Sequence, residues 1–182
     1  AASVVYKIQS QTPGTESVWA TVQCMHCNDP ACASACLVSA LEKQPDGSVA
    51  YDSWRCMGCR YCMVACPFQV PAYQYDEPLT PMVRKCSFCH DRLEEGQAPA
   101  CVAICPAENL IFGRREELLA IAHKKIADHP ERYVDHVYGE HEVGGASWLY
   151  LAGQDFESLG FPTLGEQAPP RITEGIQHGV FK

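Results

Sequence analysis

Twelve cysteines in a chain of 182 residues constrain this fold more than any hydrophobic pattern does. They fall into three groups of four: Cys24, Cys27, Cys32 and Cys36; Cys56, Cys59, Cys62 and Cys66; Cys86, Cys89, Cys101 and Cys105. Each group opens with C-x2-C and closes with C-x3-C, with four, two and eleven residues between its second and third cysteine. A disulfide framework also uses an even number of cysteines, but these short spacings bring bridging partners too close for most disulfide geometries. Zinc ribbons use paired C-x2-C knuckles, which the outer groups resemble when taken alone. Zinc has no use, however, for the additional cysteine at the centre of C-x2-C-x2-C. A zinc-stabilised interaction module without redox function is therefore the alternative reading rather than the first.

The middle group, CMGCRYCMVACP, reads C-x2-C-x2-C-x3-C-P. Bacterial two-cluster ferredoxins use this run to hold [4Fe–4S] cubes, the fourth cysteine serving the neighbouring cluster. Three thiolates on one tight loop reach three irons of one cube, and the fourth, a helical turn further on, points away. The rule predicts two cross-ligated clusters, one on Cys24, Cys27, Cys32 and Cys66 and the other on Cys56, Cys59, Cys62 and Cys36. In the third group Cys86, Cys89 and Cys101 are expected to share a cluster and Cys105 to point away. That site then needs a ligand from elsewhere, or holds a [3Fe–4S] cluster. The cofactors expected are at least two [4Fe–4S] clusters, and three or more if the third site is filled.

Between the first two groups, DGSVAYDSW is a short β-branched run introduced by Asp46-Gly47, a hairpin signature. The expected unit is a ligand loop, a short helix carrying the fourth cysteine and a hairpin, then the unit again. Pro67 and Pro106 follow Cys66 and Cys105, where proline ends a short helix; Leu37 follows Cys36. Residues 68–85 hold three prolines and read as an extended linker. RREELLAIAHKKIADHP places Leu118, Leu119, Ala122 and Ile126 at helical spacing, predicting a helix from about Arg115 to Ala127 that stops at Pro130. A strand is expected around Trp148 to Leu151, followed by an aperiodic tail rich in Gly and Pro that lies along a surface or a partner. The fold class is α+β: a two-cluster ferredoxin-like repeat over residues 1–81, a second cysteine-rich half at 82–113, and a C-terminal helix and partner-binding tail at 114–182.

The formal charge of −8 disfavours a phosphate-binding surface, so no nucleic-acid partner is expected. No stretch approaches the ~18–20 apolar residues of a spanning helix, and the first ten residues resemble no secretion signal. The chain has no G-x-S-x-G, P-loop, Rossmann glycine run or H-E-x-x-H, and a cube held by four cysteines has no open iron for a substrate. One-electron transfer without catalysis is the reading. His26 and His90, inside the cysteine motifs, read as hydrogen-bond donors or solvent-facing residues. Lys85, Arg55, Arg60 and Arg92 flank cysteines and read either as cations that raise cluster potentials or as surface charge. Tyr61, Phe68 and Phe88 read as shields against water.

QCMHCNDPACASAC, CMGCRYCMVACPFQVP and KCSFCHDRLEEGQAPACVAICP resemble, in order, the second, third and fourth cysteine motifs of the four-cluster ferredoxin-type subunits of membrane-bound oxidoreductases. These serve molybdopterin enzymes, periplasmic nickel–iron hydrogenases and quinone-reducing complexes. FGRREELLAIA, VYGEHEVGGASWLYL and EGIQHGVFK are similar to the corresponding region of the hydrogenase type. The resemblance implies an electron-transfer subunit between a catalytic subunit and a membrane-anchor, quinone or cytochrome partner. It also implies the periplasmic face of the inner membrane, reached by twin-arginine export. The family's first motif has no counterpart in residues 1–23, so the expectation is a fragment that begins after it, ahead of a natural three-cluster variant.

Overall fold

The computed structural model describes residues 20–171 in full and the backbone of residues 2–8. Its frame is a three-stranded sheet of β1 (Ala2–Ile8), β6 (Leu110–Arg114) and β7 (Trp148–Ala152), with β1 in the middle, antiparallel to β6 and parallel to β7. All five residues of β7 are buried. Because successive side chains point to opposite faces, Trp148, Tyr150 and Ala152 enter one core and Leu149 and Leu151 another. The second core is closed by α5 (Arg115–Asp128), whose Leu118, Ala122 and Ile126 form the buried stripe that the helical spacing predicts, with Leu119 packed beside it. Glu116 and Glu117 in its first turn and Lys125 in its last complement the helix dipole. The outer edge of β7 is covered by backbone bonds from Val134 and Tyr138.

The cysteine-rich part uses far shorter elements: α1 (Ala31–Ser34), the hairpin of β2 (Leu41–Lys43) and β3 (Val49–Tyr51), and α2 (Tyr61–Ala65). After these come the antiparallel pair β4 (Ala72–Tyr73) and β5 (Val83–Arg84), then α3 (His90–Glu94) and α4 (Ala100–Ala103). A small core of Leu41, Val49, Val83, Cys32 and Cys62 lies among them. The Asp46-Gly47 hairpin forms as expected, Asp46 accepting from the Ser48 N–H at 2.8 Å.

Several expectations are corrected. The short helices carry the third cysteine of each group, Cys32, Cys62 and Cys101, while Cys36, Cys66 and Cys105 lie just beyond their ends. Residues 68–85 are not a plain linker, because β4 and β5 pair within them, with the Gln74 N–H donating to the Met82 carbonyl. The central sheet strands β1 and β6 were not anticipated. The first part of the aperiodic tail packs back on its own frame: Phe156 and Phe161 join the core of Trp148 and Tyr150, and Ala168 is buried. EGIQHGVFK lies outside the described residues.

Candidate iron–sulfur centre

At each C-x2-C the residue before the second cysteine adopts a left-handed backbone: His26 (φ 49), Gly58 (φ 70) and Phe88 (φ 61). Three residues after the last cysteine the same conformation returns, at Ser39 (φ 51), Gln69 (φ 53) and Glu108 (φ 48). There each N–H donates back to the carbonyl of Cys36, Cys66 or Cys105. One backbone design thus recurs at all three groups, although only one of the six positions is the glycine that this conformation favours.

These loops sort the thiols by electrostatic neighbourhood. Burial pushes the thiols of Cys24, Cys27 and Cys32 up, Cys32 to about 12, and each of the three is pushed further by Cys66. Cys62 is raised by burial and then by Cys56, Cys59 and Cys36. Those same four residues line one small cavity, walled by Val38, Ala40, Leu41, Met57 and Val83. Tyr51 also lines it; its hydroxyl accepts from the Val83 N–H at 3.2 Å, and burial together with the bond to Cys56 lifts the phenol to about 12. In the third group burial raises Cys86 to about 11, with Cys24 and Cys101 adding to it. Cys101 is raised by burial and by Cys89, and to a lesser extent by Cys105. Cys105 instead is lowered, chiefly by backbone N–H groups from Ala107 to Leu110. The charge neighbours give a spatial order: the Cys56 group meets the Cys24 group through Cys62 and Cys32, and the Cys24 group meets the third through Cys24 and Cys86.

The donor set suits an inorganic cluster: the thiols are mutual charge neighbours in groups of four, Cys62 with Cys36, Cys56 and Cys59, and Cys66 with Cys24, Cys27 and Cys32. Backbone N–H groups aim at sulfur, from Ala40 to Cys36 at 3.2 Å, Phe88 to Cys86 at 3.4 Å and Ala100 to Cys89 at 3.5 Å, the means by which proteins tune bound clusters. Metal binding must displace the protons that burial holds on these thiols, with the iron charge offsetting the cost of desolvated thiolates.

The flanking residues divide differently from their sequence reading. His26 is fully buried and accepts from the Val49 N–H through Nδ1 at 2.8 Å, with its ring against Phe88 at 4.7 Å. It is neither solvent-facing nor, through that atom, a donor. His90 pairs with Asp46 at 2.7 Å, tying the third group to the hairpin loop. Phe88 is buried and Phe68 partly so, but Tyr61 is 54% exposed and cannot exclude water. Arg55 pairs with Asp52 at the surface, Arg92 donates to the Ala98 carbonyl, and Arg60 lies over the rings of Tyr73 and Tyr75. Lys43 escaped the sequence reading, since it stands nineteen residues after Cys24 and only the fold brings it back. Its Nζ donates to the His26 carbonyl at 2.9 Å and the Gly47 carbonyl at 2.8 Å, and burial lowers its pKa to about 8.

Residues 15–115, more than half of the chain, match the family described as the 4Fe-4S dicluster domain. The chain belongs to that family. The chain is 56% identical over 159 residues to a protein of Nitratidesulfovibrio vulgaris, covering 87% of this chain and 43% of that one. Hydrogenase-2 operon protein HybA of Escherichia coli O157:H7 is 43% identical over 186 aligned positions, covering 88% of this chain and 56% of HybA. The iron-sulfur subunit of the nitrate-inducible formate dehydrogenase of Escherichia coli K12 is 38% identical over 131 positions, covering 70% and 44%. The chain spans about half the length of the curated relatives it matches.

Proposed function

We propose that this chain relays single electrons through [4Fe–4S] clusters within a multi-subunit oxidoreductase and catalyses no substrate chemistry itself. The observation that supports the reading is where the fourth cysteines lie, each among the thiols of the other group, as an exchange would have it. Cys36 lines the cavity of Cys56, Cys59 and Cys62, and Cys66 is a charge neighbour of Cys24, Cys27 and Cys32. The ferredoxin rule requires that exchange, and a pair of independent zinc knuckles gives no reason for it. We assign one cluster to Cys24, Cys27, Cys32 and Cys66 and a second to Cys36, Cys56, Cys59 and Cys62. A third is assigned to Cys86, Cys89 and Cys101, completed by a further ligand or held as [3Fe–4S]. The recurrence of the loop conformation at the third group supports a cluster there, and the architecture reads as three copies of one cluster-binding unit packed on an α+β frame.

The order of the groups makes a wire with the Cys24 cluster in the middle. Its Cys56 end reaches the surface, since Cys59 is exposed and Trp54, Met57 and Tyr61 stand out at 97%, 61% and 54% exposure. Exposed apolar side chains within five residues of an exposed cysteine suit docking to another redox protein. The relatives named for a hydrogenase operon and a formate dehydrogenase favour a catalytic partner of that kind; the quinone or cytochrome partner at the periplasmic face of the inner membrane is what the resemblance of the cysteine motifs implies. Among the described residues no helix is long and apolar enough to cross a membrane, so attachment there is peripheral or through another segment.

Cys66→Ser and Cys36→Ser test the assignment. Each is expected to alter the EPR spectrum of one reduced cluster, Cys66→Ser that of the cluster whose spectrum Cys24→Ser also alters. A colourless protein with zinc in place of iron and sulfide overturns the reading; so does a Cys36→Ser spectrum altered at the cluster of Cys24. Iron quantification with EPR of the oxidised chain separates the two forms of the third site, because only [3Fe–4S] is paramagnetic when oxidised.

A further inference from the structure

The two sites related by the ferredoxin exchange differ in what surrounds them. Two lysine ammonium groups stand over the Cys24 site, fixed by backbone carbonyls. Lys43 Nζ donates to the His26 carbonyl inside the Cys24–Cys27 loop, to the Gly47 carbonyl and, at 3.4 Å, to Ser147 Oγ. Lys85 Nζ donates to the Val49 carbonyl and, at 3.1 Å, to the Cys86 carbonyl. Both lysines are partly buried, and neither forms an ion pair with a carboxylate among the described residues. Their fields reach different thiols: Lys43 acts on Cys24 and Cys27, Lys85 on Cys24, Cys32 and Cys86. At the Cys56 site the corresponding cation is Arg60, which is exposed to solvent with its guanidinium over two tyrosine rings. Solvent screens an exposed charge far more than one held among carbonyls.

We propose that Lys43 and Lys85 raise the reduction potential of the middle cluster above that of the cluster on Cys36, Cys56, Cys59 and Cys62, so that an electron entering at the exposed end moves inward. The inference rests on the cluster assignment proposed above. A fixed cation favours the reduced, more negative state of a cluster, and it does so most where water is absent. Lys85, adjacent to Cys86, raises the third cluster as well, whereas Lys43 acts on the middle one alone. These are positioning charges, not ligands, and they carry no proton in the relay.

EPR-monitored redox titration of the cluster-loaded chain tests this with Lys43→Gln and Lys85→Gln. Glutamine keeps a donor for the carbonyls while removing the charge. Lys43→Gln is expected to lower the potential of the middle cluster only, Lys85→Gln those of the middle and third clusters, and neither to move the second. Lys43→Arg and Lys85→Arg, which keep the charge, are expected to stay near the wild-type values. An unmoved middle potential in the glutamine variants overturns the proposal, and so does an equal shift of all three clusters. Should a glutamine variant fail to fold, the wild-type chain decides: the signal altered by Cys66→Ser must be reduced at a higher potential than the one altered by Cys36→Ser, and the reverse order overturns the proposal. A chain with no cluster signal at all overturns the relay reading instead, so the two failures are distinguishable.

Discussion

Gly139→Ala should damage this protein far more than Gly160→Ala, although both glycines have positive φ, 96° and 81°. A Cβ at Gly160 meets nothing within 4 Å, so that variant bears only the backbone penalty of about 1–2 kcal/mol. A Cβ at Gly139 would lie 2.4 Å from the Trp148 carbonyl oxygen and 3.0 Å from Met25 Cε. The first contact is with backbone and cannot be relieved by a rotamer change, which places it at the upper end of the overpacking range, about 3 kcal/mol. The difference of about 3 kcal/mol corresponds to roughly 6–12 °C in melting temperature for a chain of this size. The damage also travels to the site. Ser147 and Trp148 both donate to the Met25 carbonyl, at 3.1 and 3.0 Å, and so hold the loop between Cys24 and Cys27. Thermal melts of the two loaded variants at one scan rate, with EPR of the reduced clusters, provide the assay. Gly139→Ala should melt well below Gly160→Ala and perturb the signal assigned to the Cys24 cluster. Melting points within about 2 °C of each other would refute the steric reasoning.

Leu118→Ala, in the buried stripe of α5, should cost about 2–4 kcal/mol in urea unfolding while leaving iron content and cluster spectra unchanged, because its core excludes the cysteine loops. His26→Leu should lose about 1–3 kcal/mol, since it leaves the buried Val49 N–H without an acceptor; His26→Asn, which tolerates the left-handed backbone and offers an oxygen, should lose less, as thermal melts will show. Removing iron with a chelator should abolish hydrogen-exchange protection in residues 31–84 first and leave Leu149 to Ala152 protected. Simultaneous loss in both regions would contradict the division into separate cores.

What could be read from the sequence follows how local the physics is. Ligand spacing is local, so the grouping of the twelve cysteines was legible, as was α5, where Leu118, Ala122 and Ile126 repeat at the helical period over fourteen residues. Trp148 to Leu151 was legible from its apolar run. Strands of two residues, such as Ala72–Tyr73 and Val83–Arg84, are too short for any periodicity to show. Strand β1 pairs with segments more than a hundred residues away, and its alternatives cannot be ranked without them. Leu110-Ile111-Phe112 did carry a strand signature, overlooked because it lies between a cysteine motif and a strong helix. The left-handed positions at His26 and Phe88 were hidden because neither residue is glycine.

The same division explains how the molecule is held together. Among the described residues the core beside Cys36, Cys56, Cys59 and Cys62 buries only Leu41, Val49 and Val83 besides Cys32 and Cys62, with Ala33, Tyr51, Met63 and Tyr73 partly buried against it, and its strands are three residues or fewer. So little apolar surface does not hold a fold unaided, and metal ligation must supply what hydrophobic burial does not. The frame of β7 and α5 has the opposite balance: its cores contain Trp148, Tyr150, Phe156, Phe161, Leu149 and Leu151, joined by Met25 and Phe88 from the cysteine loops, and among the described residues take only Cys27 and Cys101 of the cysteines at their margin. The two parts meet where Ser147 donates to the Gly47 carbonyl at 2.9 Å, Lys43 donates to Ser147 Oγ at 3.4 Å, and the Asn28 N–H donates to the Gly145 carbonyl at 2.9 Å. These contacts all converge on the Cys24–Cys27 loop and the hairpin behind it. The middle cluster of the proposed wire is therefore the one whose position and surrounding charge the frame sets most directly, and variants at the junction should act there before they act at the exposed end.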